Sequence, residues 1–144
     1  LYLEKAMSFR FLAFMILYLI LKLSISFVSN KALENDLKNV IIFDNVQVPH
    51  YNYVGDSILG YKSHMGAGSI TSNVKSDKTL VVVKDGEEEI ATGLKKFGAM
   101  LGDNVEVGCN SVLNPGTVIC KESNVYPTSC VRGVIPEKSI HKNK

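Results

Sequence analysis

The sequence predicts an all-β fold in which six-residue units, each a short strand and a corner, stack three to a turn into a triangular prism. One observation is a column of aliphatic residues spaced six apart: Leu101, Val107, Leu113, Ile119, Val125 and Val131. Another is a column of small or β-branched residues four positions after the first five: Val105, Ser111, Thr117, Ser123 and Ser129. A third is the Gly or Asn that follows an aliphatic position, where we expect the corner to need a positive φ: Gly102, Gly108 and Asn114. The aliphatic column would fill the prism, and the small column would fit its tight corners.

An apolar segment, residues 1–37, precedes the repeats, and we expect an N-terminal helix there. Residues 11–21 are an unbroken apolar run flanked by basic residues. Residues 9–28 approach the length of a membrane span, about 17–25 residues, and would contact a membrane if the segment is an anchor. Three interpretations stay open: a weak membrane anchor, a helix that caps the prism, or a segment not native to the domain. A secretory signal is disfavoured because SFVSNKA is a poor cleavage site.

The six-residue period begins before residue 100, and we expect the prism to span residues 38–136. Aliphatic residues recur at Ile42, Val48 and Val54 and, after one five-residue step, at Leu59 and Met65. About ten such units would give about three turns. Neither an amphipathic helix nor a hairpin sheet has this spacing. The pattern resembles the left-handed parallel β-helix of hexapeptide-repeat proteins, which is the fold class we predict.

Residues 71–100 leave the period and are expected to project from the prism as a loop. Residues 80–83, then Asp85 and Gly86, then EEEIAT predict a β-hairpin with an Asp-Gly turn. Such loops often carry the function of a solenoid, and the alternative is a solvated excursion without a role. Residues 137–144 are polar and are expected to form a tail.

Composition excludes several classes of protein. With 144 residues, a net charge of +2, 46% hydrophobic and 21% charged residues, the chain fits one domain and not a large multidomain enzyme. The balanced charge, without a block of Lys and Arg, argues against a nucleic-acid partner. The sequence has three cysteines, Cys109, Cys120 and Cys130. Their odd number and the lack of a C-x-x-C pair favour free thiols in a reducing compartment.

Two stretches carry a resemblance to a known family. They are VPHYNYVGDSILGYKSHMGAGSITSN at residues 48–73 and LGDNVEVGCNSVLNPGTVI at residues 101–119. They resemble the acetyltransferase domain of the bifunctional N-acetylglucosamine-1-phosphate uridylyltransferase/glucosamine-1-phosphate N-acetyltransferase, and more closely its shorter sugar-1-phosphate nucleotidyltransferase-like relatives. The resemblance covers about residues 38–136. Residues 1–37 are too few for a nucleotidyltransferase domain, so we do not expect uridylyl transfer from these 144 residues.

The resemblance implies a homotrimer that binds acetyl-CoA along the groove between subunits and acetylates a sugar phosphate in nucleotide-sugar and cell-envelope precursor synthesis. In the H-x-x-Y-x-G-D motif, His50 matches the general base and Tyr53 matches a tyrosine that contacts the substrate phosphate. Asn73 matches an asparagine that contacts acetyl-CoA and substrate, whereas Ala67 and Cys109 match positions along the coenzyme groove. A histidine suits the chemistry, because acyl transfer to an amine needs a base with a pKa near neutral.

The sequence departs from this family at substrate-binding positions. His64 stands where the acetyltransferase has an asparagine that reads the amino sugar, so the acceptor is left open. Val74 replaces an expected tyrosine, and Lys75 and Lys78 are both candidates for the phosphate-binding lysine. An upstream arginine and lysine that grip the sugar phosphate would precede Val40, where the resemblance ends.

Other interpretations of the same residues stay open. His50 could be a corner histidine bonded to a carbonyl, Tyr53 a surface aromatic and His64 an interface residue, while Asp56 and Asp103 are predicted to cap corners. The alternative function is a non-catalytic trimerising or regulatory β-helix module of a truncated nucleotidyltransferase-like protein. No metal is predicted, because the H-x4-H spacing of β-helical carbonic anhydrases is absent. Use of acetyl-CoA implies a cytoplasmic location, with membrane association only through the N-terminal segment.

Overall fold

A computed structural model describes residues 35–143 as sixteen short β-strands joined by tight corners. Within this range no helix has the length and apolarity that a membrane crossing requires. In chain order the strands are β1 (Asp36–Lys38), β2 (Ile41–Ile42), β3 (Tyr53–Gly55), β4 (Ile58–Leu59), β5 (His64–Met65), β6 (Ile70–Thr71), β7 (Val82–Asp85), β8 (Glu88–Ala91), β9 (Ala99–Leu101), β10 (Glu106–Val107), β11 (Val112–Leu113), β12 (Thr117–Ile119), β13 (Asn124–Val125), β14 (Cys130–Val131), β15 (Val134–Ile135) and β16 (Ile140–His141).

Parallel pairing arranges these strands, except β7 and β8, into three sheets that form the faces of the prism. Face A consists of β1, β3, β6, β11 and β14, face B of β2, β4, β9, β12 and β15, and face C of β5, β10, β13 and β16. The chain passes through faces A, B and C in turn, which confirms the predicted parallel β-solenoid. Its left-handedness stays a prediction. Five strands on each of faces A and B make the solenoid longer than the three turns counted from the sequence.

The predicted aliphatic column forms the prism interior. At most 3% of the surface is exposed at Leu101, Val107, Leu113, Ile119, Val125 and Val131, and the column continues through Val54, Leu59 and Met65. The predicted small residues are buried as well: Val105, Ser111, Thr117, Ser123 and Ser129. Burying each large aliphatic side chain stabilises the fold by roughly 1.5–3 kcal/mol, so this column is the main source of stability.

The glycines after aliphatic positions allow successive turns of the prism, here called rungs, to stack closely. The prediction that these glycines adopt a positive φ was wrong. A Cβ on Gly60 would lie 2.6 Å from the carbonyl carbon of Gly102, and one on Gly102 would lie 2.6 Å from the backbone nitrogen of Lys121. Carbon atoms in contact are normally about 3.5–4.0 Å apart, so no side chain fits between these rungs. The positive φ occurs two residues later, as at Asn104 and Asn110, both with φ 56°.

The excursion between β6 and β9 contains the predicted β-hairpin, with its turn displaced by one residue. Strands β7 and β8 pair antiparallel with Asp85 opposite Glu88, so the two-residue loop is Gly86 and Glu87 instead of Asp85 and Gly86. Gly86 has φ 59°, which suits the first loop position of a type II′ turn.

The hairpin does not project from the prism, contrary to the prediction, but packs on the outer side of face B. The outward-facing residues of that face are apolar throughout: Ile41, Ile58, Met100, Val118 and Val134. Together with the buried Val81, Val83 and Phe97 of the excursion they form a second core. Because an apolar sheet face in water is unfavourable, the excursion folds back to cover it.

Phe97→Ala should destabilise the protein by about 3 kcal/mol, because truncating a buried aromatic side chain leaves a cavity. Phe97 is 6% exposed within the second core. The measurement is the free energy of unfolding in urea. Tyr126→Ala is the control, since Tyr126 is 50% exposed and should lose less than about 1 kcal/mol. Equal losses in the two variants would contradict packing of the excursion on face B.

The β-helix extends past both predicted boundaries. Strand β1 begins before residue 38 and pairs with β3, and β16 lies within the expected tail, residues 137–144, where it pairs with β13. The boundary was misplaced because Leu37 is five and not six residues before Ile42. The apolar helix and the membrane contact predicted for residues 9–28 lie outside the described residues.

Candidate functional site

The corner between faces C and A, here called the C–A edge, brings three predicted site residues into one line. Each is the second residue after an inward-facing aliphatic residue, and its backbone carbonyl accepts an N–H from the neighbouring rung. The donors are Gly68 to His50 (3.0 Å), Asn110 to Ala67 (2.9 Å) and Thr128 to Cys109 (2.8 Å). His50 and Cys109 are exposed and Ala67 is half-buried, so all three border the surface along this edge.

Asn52, which sequence reasoning missed, fixes the backbone beside His50. It is 3% exposed, and its Oδ1 accepts the backbone N–H of His50 at 3.2 Å. Its Nδ2 donates to the carbonyl of Gly66 at 2.8 Å and to Oγ of Ser69 at 2.9 Å. The signal was present, because Asn52 lies four residues after Val48 and so belongs to the small buried column. The corner is therefore tied to the next rung while the imidazole stays at the surface.

Tyr53 and Asn73 converge at the other end of face A, near its corner with face B, here called the A–B edge. A Cβ on Gly55 would lie 2.5 Å from the Tyr53 hydroxyl and 2.7 Å from Nδ2 of Asn73, so the bare glycine leaves room for both groups. The backbone carbonyl of Asn73 accepts the N–H of Phe97 at 2.9 Å, which places Asn73 where the excursion rejoins the prism. Two of the residues expected to contact substrate, Tyr53 and Asn73, thus lie together.

The two aspartates of the GD pairs differ in their contacts. Asp103 binds a corner backbone as predicted, since its Oδ1 accepts the N–H of Tyr61 at 2.9 Å. Asp56 instead binds two side-chain amides, those of Asn39 and Asn73, and is buried. Its predicted role as a simple corner cap was therefore wrong.

His64 lies on a different face from the Tyr53–Asn73 cluster, whereas Lys78 lies five residues after Asn73. His64 is on face C, where its Nδ1 is 2.7 Å from Oε2 of Glu106, its partner on the adjacent strand. Lys78 is exposed in the turn that follows Asn73. The alternative candidate, Lys75, donates from Nζ to Thr79 Oγ1 at 2.6 Å.

Lys38 is a second basic residue near the Tyr53–Asn73 cluster that the sequence did not reveal. It is exposed and pairs with Gly55 across β1 and β3, and its carbonyl accepts the N–H of Asp56 at 2.9 Å. The aliphatic period was followed back only to Ile42, so β1 was not recognised. A cation therefore stands on the rung next to the tyrosine expected to contact phosphate.

The cysteines are free thiols in different environments. Cys109 and Cys130 are exposed, whereas Cys120 is buried. Burial, with the nearby carboxylates of Asp85 and Glu137, raises the pKa of the Cys120 thiol, which disfavours the reactive thiolate form. In residues 35–143 no three or more His, Cys, Asp or Glu side chains converge as a metal site would require.

Sequence comparison identifies relatives of the prism. The bifunctional protein GlmU of Methanococcus aeolicus is 39% identical over 106 residues, covering 74% of this chain and 26% of the relative. The chain is a hexapeptide-repeat β-helix related to the acetyltransferase domain of GlmU. The bifunctional sugar-1-phosphate nucleotidylyltransferase/acetyltransferase of Sulfurisphaera tokodaii is 32% identical over 96 residues, or 67% of this chain and 24% of the relative. This GlmU-like chain thus spans about a quarter of the length of these curated relatives.

Two further comparisons add little to this relationship. No protein-family model matches the chain. Among solved structures, the N-acyltransferase AntD of Bacillus cereus, in complex with dTDP-4-amino-4,6-dideoxyglucose and coenzyme A, is 14% identical with a TM-score of 0.47, covering 75% of this chain and 72% of that one. Serine acetyltransferase isoform 3 of Entamoeba histolytica, in complex with cysteine, is 9% identical with a TM-score of 0.46, covering 74% and 35%. At such TM-scores the likeness does not bear on ligands or mechanism.

Proposed function

We propose that this chain is an acetyl-CoA-dependent acyltransferase that acetylates a sugar phosphate and works as a homotrimer. The observation that carries the proposal is the alignment of His50, Ala67 and Cys109 at equivalent positions of the C–A edge. Such an edge offers an extended ligand a straight path that ends at a histidine. The relationship to GlmU supports acetyl-CoA as the donor.

His50 acts as the general base in this proposal. It removes a proton from the acceptor amine or hydroxyl while that group attacks the thioester carbonyl carbon, and the C–S bond then breaks to release the coenzyme thiol. Backbone N–H groups near the reacting carbonyl stabilise the negative charge on its oxygen. The hydrogen bonds of Asn52 hold the His50 backbone in place for this step.

The acceptor binds at the Tyr53–Asn73 cluster, where Lys38 and Lys78 supply positive charge for a phosphate. This cluster and His50 lie toward opposite edges of face A in one copy of the chain. A second copy that brings its A–B edge against the C–A edge of the first completes the site. The need for residues from two copies favours the homotrimer.

Acetyl-CoA should slow the alkylation of Cys109 by iodoacetamide in the full-length chain at least about fivefold at saturation, because bound coenzyme excludes the reagent from the exposed thiolate. Peptide mass spectrometry measures each cysteine separately. Cys130 is the internal control, because it is exposed on the outer side of face A and not at the C–A edge, and its rate should change less than about twofold. Cys120 should stay unlabelled.

Equal alkylation of Cys109 with and without acetyl-CoA, in folded protein, would count against coenzyme binding on this edge. The result would favour a non-catalytic trimerising or regulatory module. Equal slowing of Cys109 and Cys130 would indicate a general tightening of the protein and would also contradict the proposed path.

A further inference from the structure

Asp56 is a buried carboxylate whose two oxygens each accept a hydrogen bond from a side-chain amide. It is 7% exposed. Its Oδ1 accepts from Nδ2 of Asn39 at 3.1 Å, and its Oδ2 accepts from Nδ2 of Asn73 at 2.5 Å. A buried carboxylate is costly unless such donors satisfy it. The contact to Asn73 is the short one of the two and belongs to the proposed binding site.

This contact determines which way the Asn73 amide faces. An ionised carboxylate only accepts hydrogen bonds, and the amide nitrogen only donates them, so the nitrogen must face Asp56. The carbonyl oxygen Oδ1 of Asn73 therefore points away from Asp56. Without the carboxylate the amide could rotate by half a turn and present its nitrogen instead, since the two ends are nearly equal in size.

The backbone conformation at Asp56 is one that an aspartate adopts more readily than most other residues. Asp56 has φ 46°, in the left-handed region, where Asp and Asn are tolerated better than most other residues. It follows Gly55, whose missing Cβ leaves room for the Asn73 amide. The sequence Gly55-Asp56 thus combines a space for the amide with a carboxylate that orients it.

We infer that Asp56 is a positioning residue that orients the Asn73 amide so that Oδ1 accepts an N–H from a bound ligand. The inference rests on the proposed function and assigns a recognition step to it. Two ligand groups have such an N–H donor. One is an amide of the pantetheine arm of the coenzyme, and the other is the amine of an amino-sugar acceptor. A KM increase confined to acetyl-CoA identifies the first group, and one confined to the acceptor identifies the second.

The test is steady-state kinetics of the full chain with acetyl-CoA and glucosamine 1-phosphate as probes. Asp56→Gly removes the carboxylate without backbone strain and should raise the KM of one substrate about tenfold or more, with kcat changed less than about threefold. Asp56→Asn keeps one oxygen acceptor for Asn73. Its amide nitrogen then faces the exposed Asn39, which can turn its own amide and accept the hydrogen bond. KM should therefore stay within about threefold of the parent.

Asn39→Gly is the matched control, because it removes the other donor to Asp56 and tolerates the positive φ of Asn39, which is 55°. It should lower the melting temperature and leave both KM values within about twofold. A KM increase in Asn39→Gly as large as in Asp56→Gly would overturn the inference, since the effect would then follow the stability of the corner. Unchanged KM values in folded Asp56→Gly would overturn it as well.

An exchange variant keeps the test decisive if Asp56→Gly does not fold. Asn73→Asp alone places two carboxylates together and should raise the affected KM more than about tenfold. Adding Asp56→Asn restores the hydrogen bond in reverse and again presents an oxygen to the ligand, so KM should return to within about threefold of the parent. Failure of this rescue in a folded protein would overturn the inference. An inactive parent chain would instead overturn the proposed function.

Discussion

His50→Gln should lower kcat for acetyl transfer by about 100- to 10,000-fold, because the variant loses the base that removes the acceptor proton. The dissociation constant of acetyl-CoA should change little, since His50 is exposed at the corner and its backbone is held by Asn52. Release of coenzyme A thiol with glucosamine 1-phosphate as acceptor measures turnover. Binding is measured separately by titration.

His64→Gln is the contrasting variant. His64 is held by Glu106 on face C, away from the proposed base and from the Tyr53–Asn73 cluster, so its loss should leave kcat within about threefold of the parent. If His50→Gln keeps its kcat, or His64→Gln loses kcat equally, His50 is not the base.

Gly102→Ala should destabilise the protein by about 3 kcal/mol or more, because the added methyl group meets backbone that cannot move aside without opening the rung. The added carbon would lie 2.6 Å from the backbone nitrogen of Lys121 and near its Cα. Chemical unfolding monitored by circular dichroism gives the difference in free energy of unfolding. A chain that no longer folds would also agree with this expectation.

Asn104→Gly on the same rung is the control for this effect. Asn104 has φ 56°, which glycine adopts without strain. The relief of this backbone strain offsets the larger conformational entropy that glycine gives the unfolded chain. The free energy of unfolding should therefore change by less than about 1 kcal/mol. A similarly small change in Gly102→Ala would show that the rungs have more room than the described stacking allows.

The sequence predicted the inner part of this fold well because a solenoid repeats its contacts. Each of Leu101, Val107 and Leu113 occupies the same environment as the next, so spacing alone reveals the column. His50 came instead from the resemblance of its H-x-x-Y-x-G-D motif, and the structure places it at a corner. Periodicity reveals these positions because it can be recognised in the sequence without any knowledge of tertiary contacts.

Features that depend on packing of the excursion on face B, or on side-chain contacts between neighbouring rungs, were not predicted. Met100 and Val118 read as ordinary strand residues until the register shows that the whole outer side of face B is apolar. The contact between Asp56 and Asn73 joins residues seventeen apart in sequence across neighbouring rungs, so it follows from the stacking and not from local preference. Strand β1 was missed because a five-residue step interrupts the period before Ile42.

Calorimetric titration of the full chain with acetyl-CoA tests the central claim most directly. We predict one site per chain with a micromolar dissociation constant, and loss of this binding in Cys109→Glu, where a carboxylate on the exposed edge repels the coenzyme phosphates. A folded parent chain that releases no heat with acetyl-CoA, or a Cys109→Glu variant that binds equally well, would contradict the coenzyme site on the C–A edge.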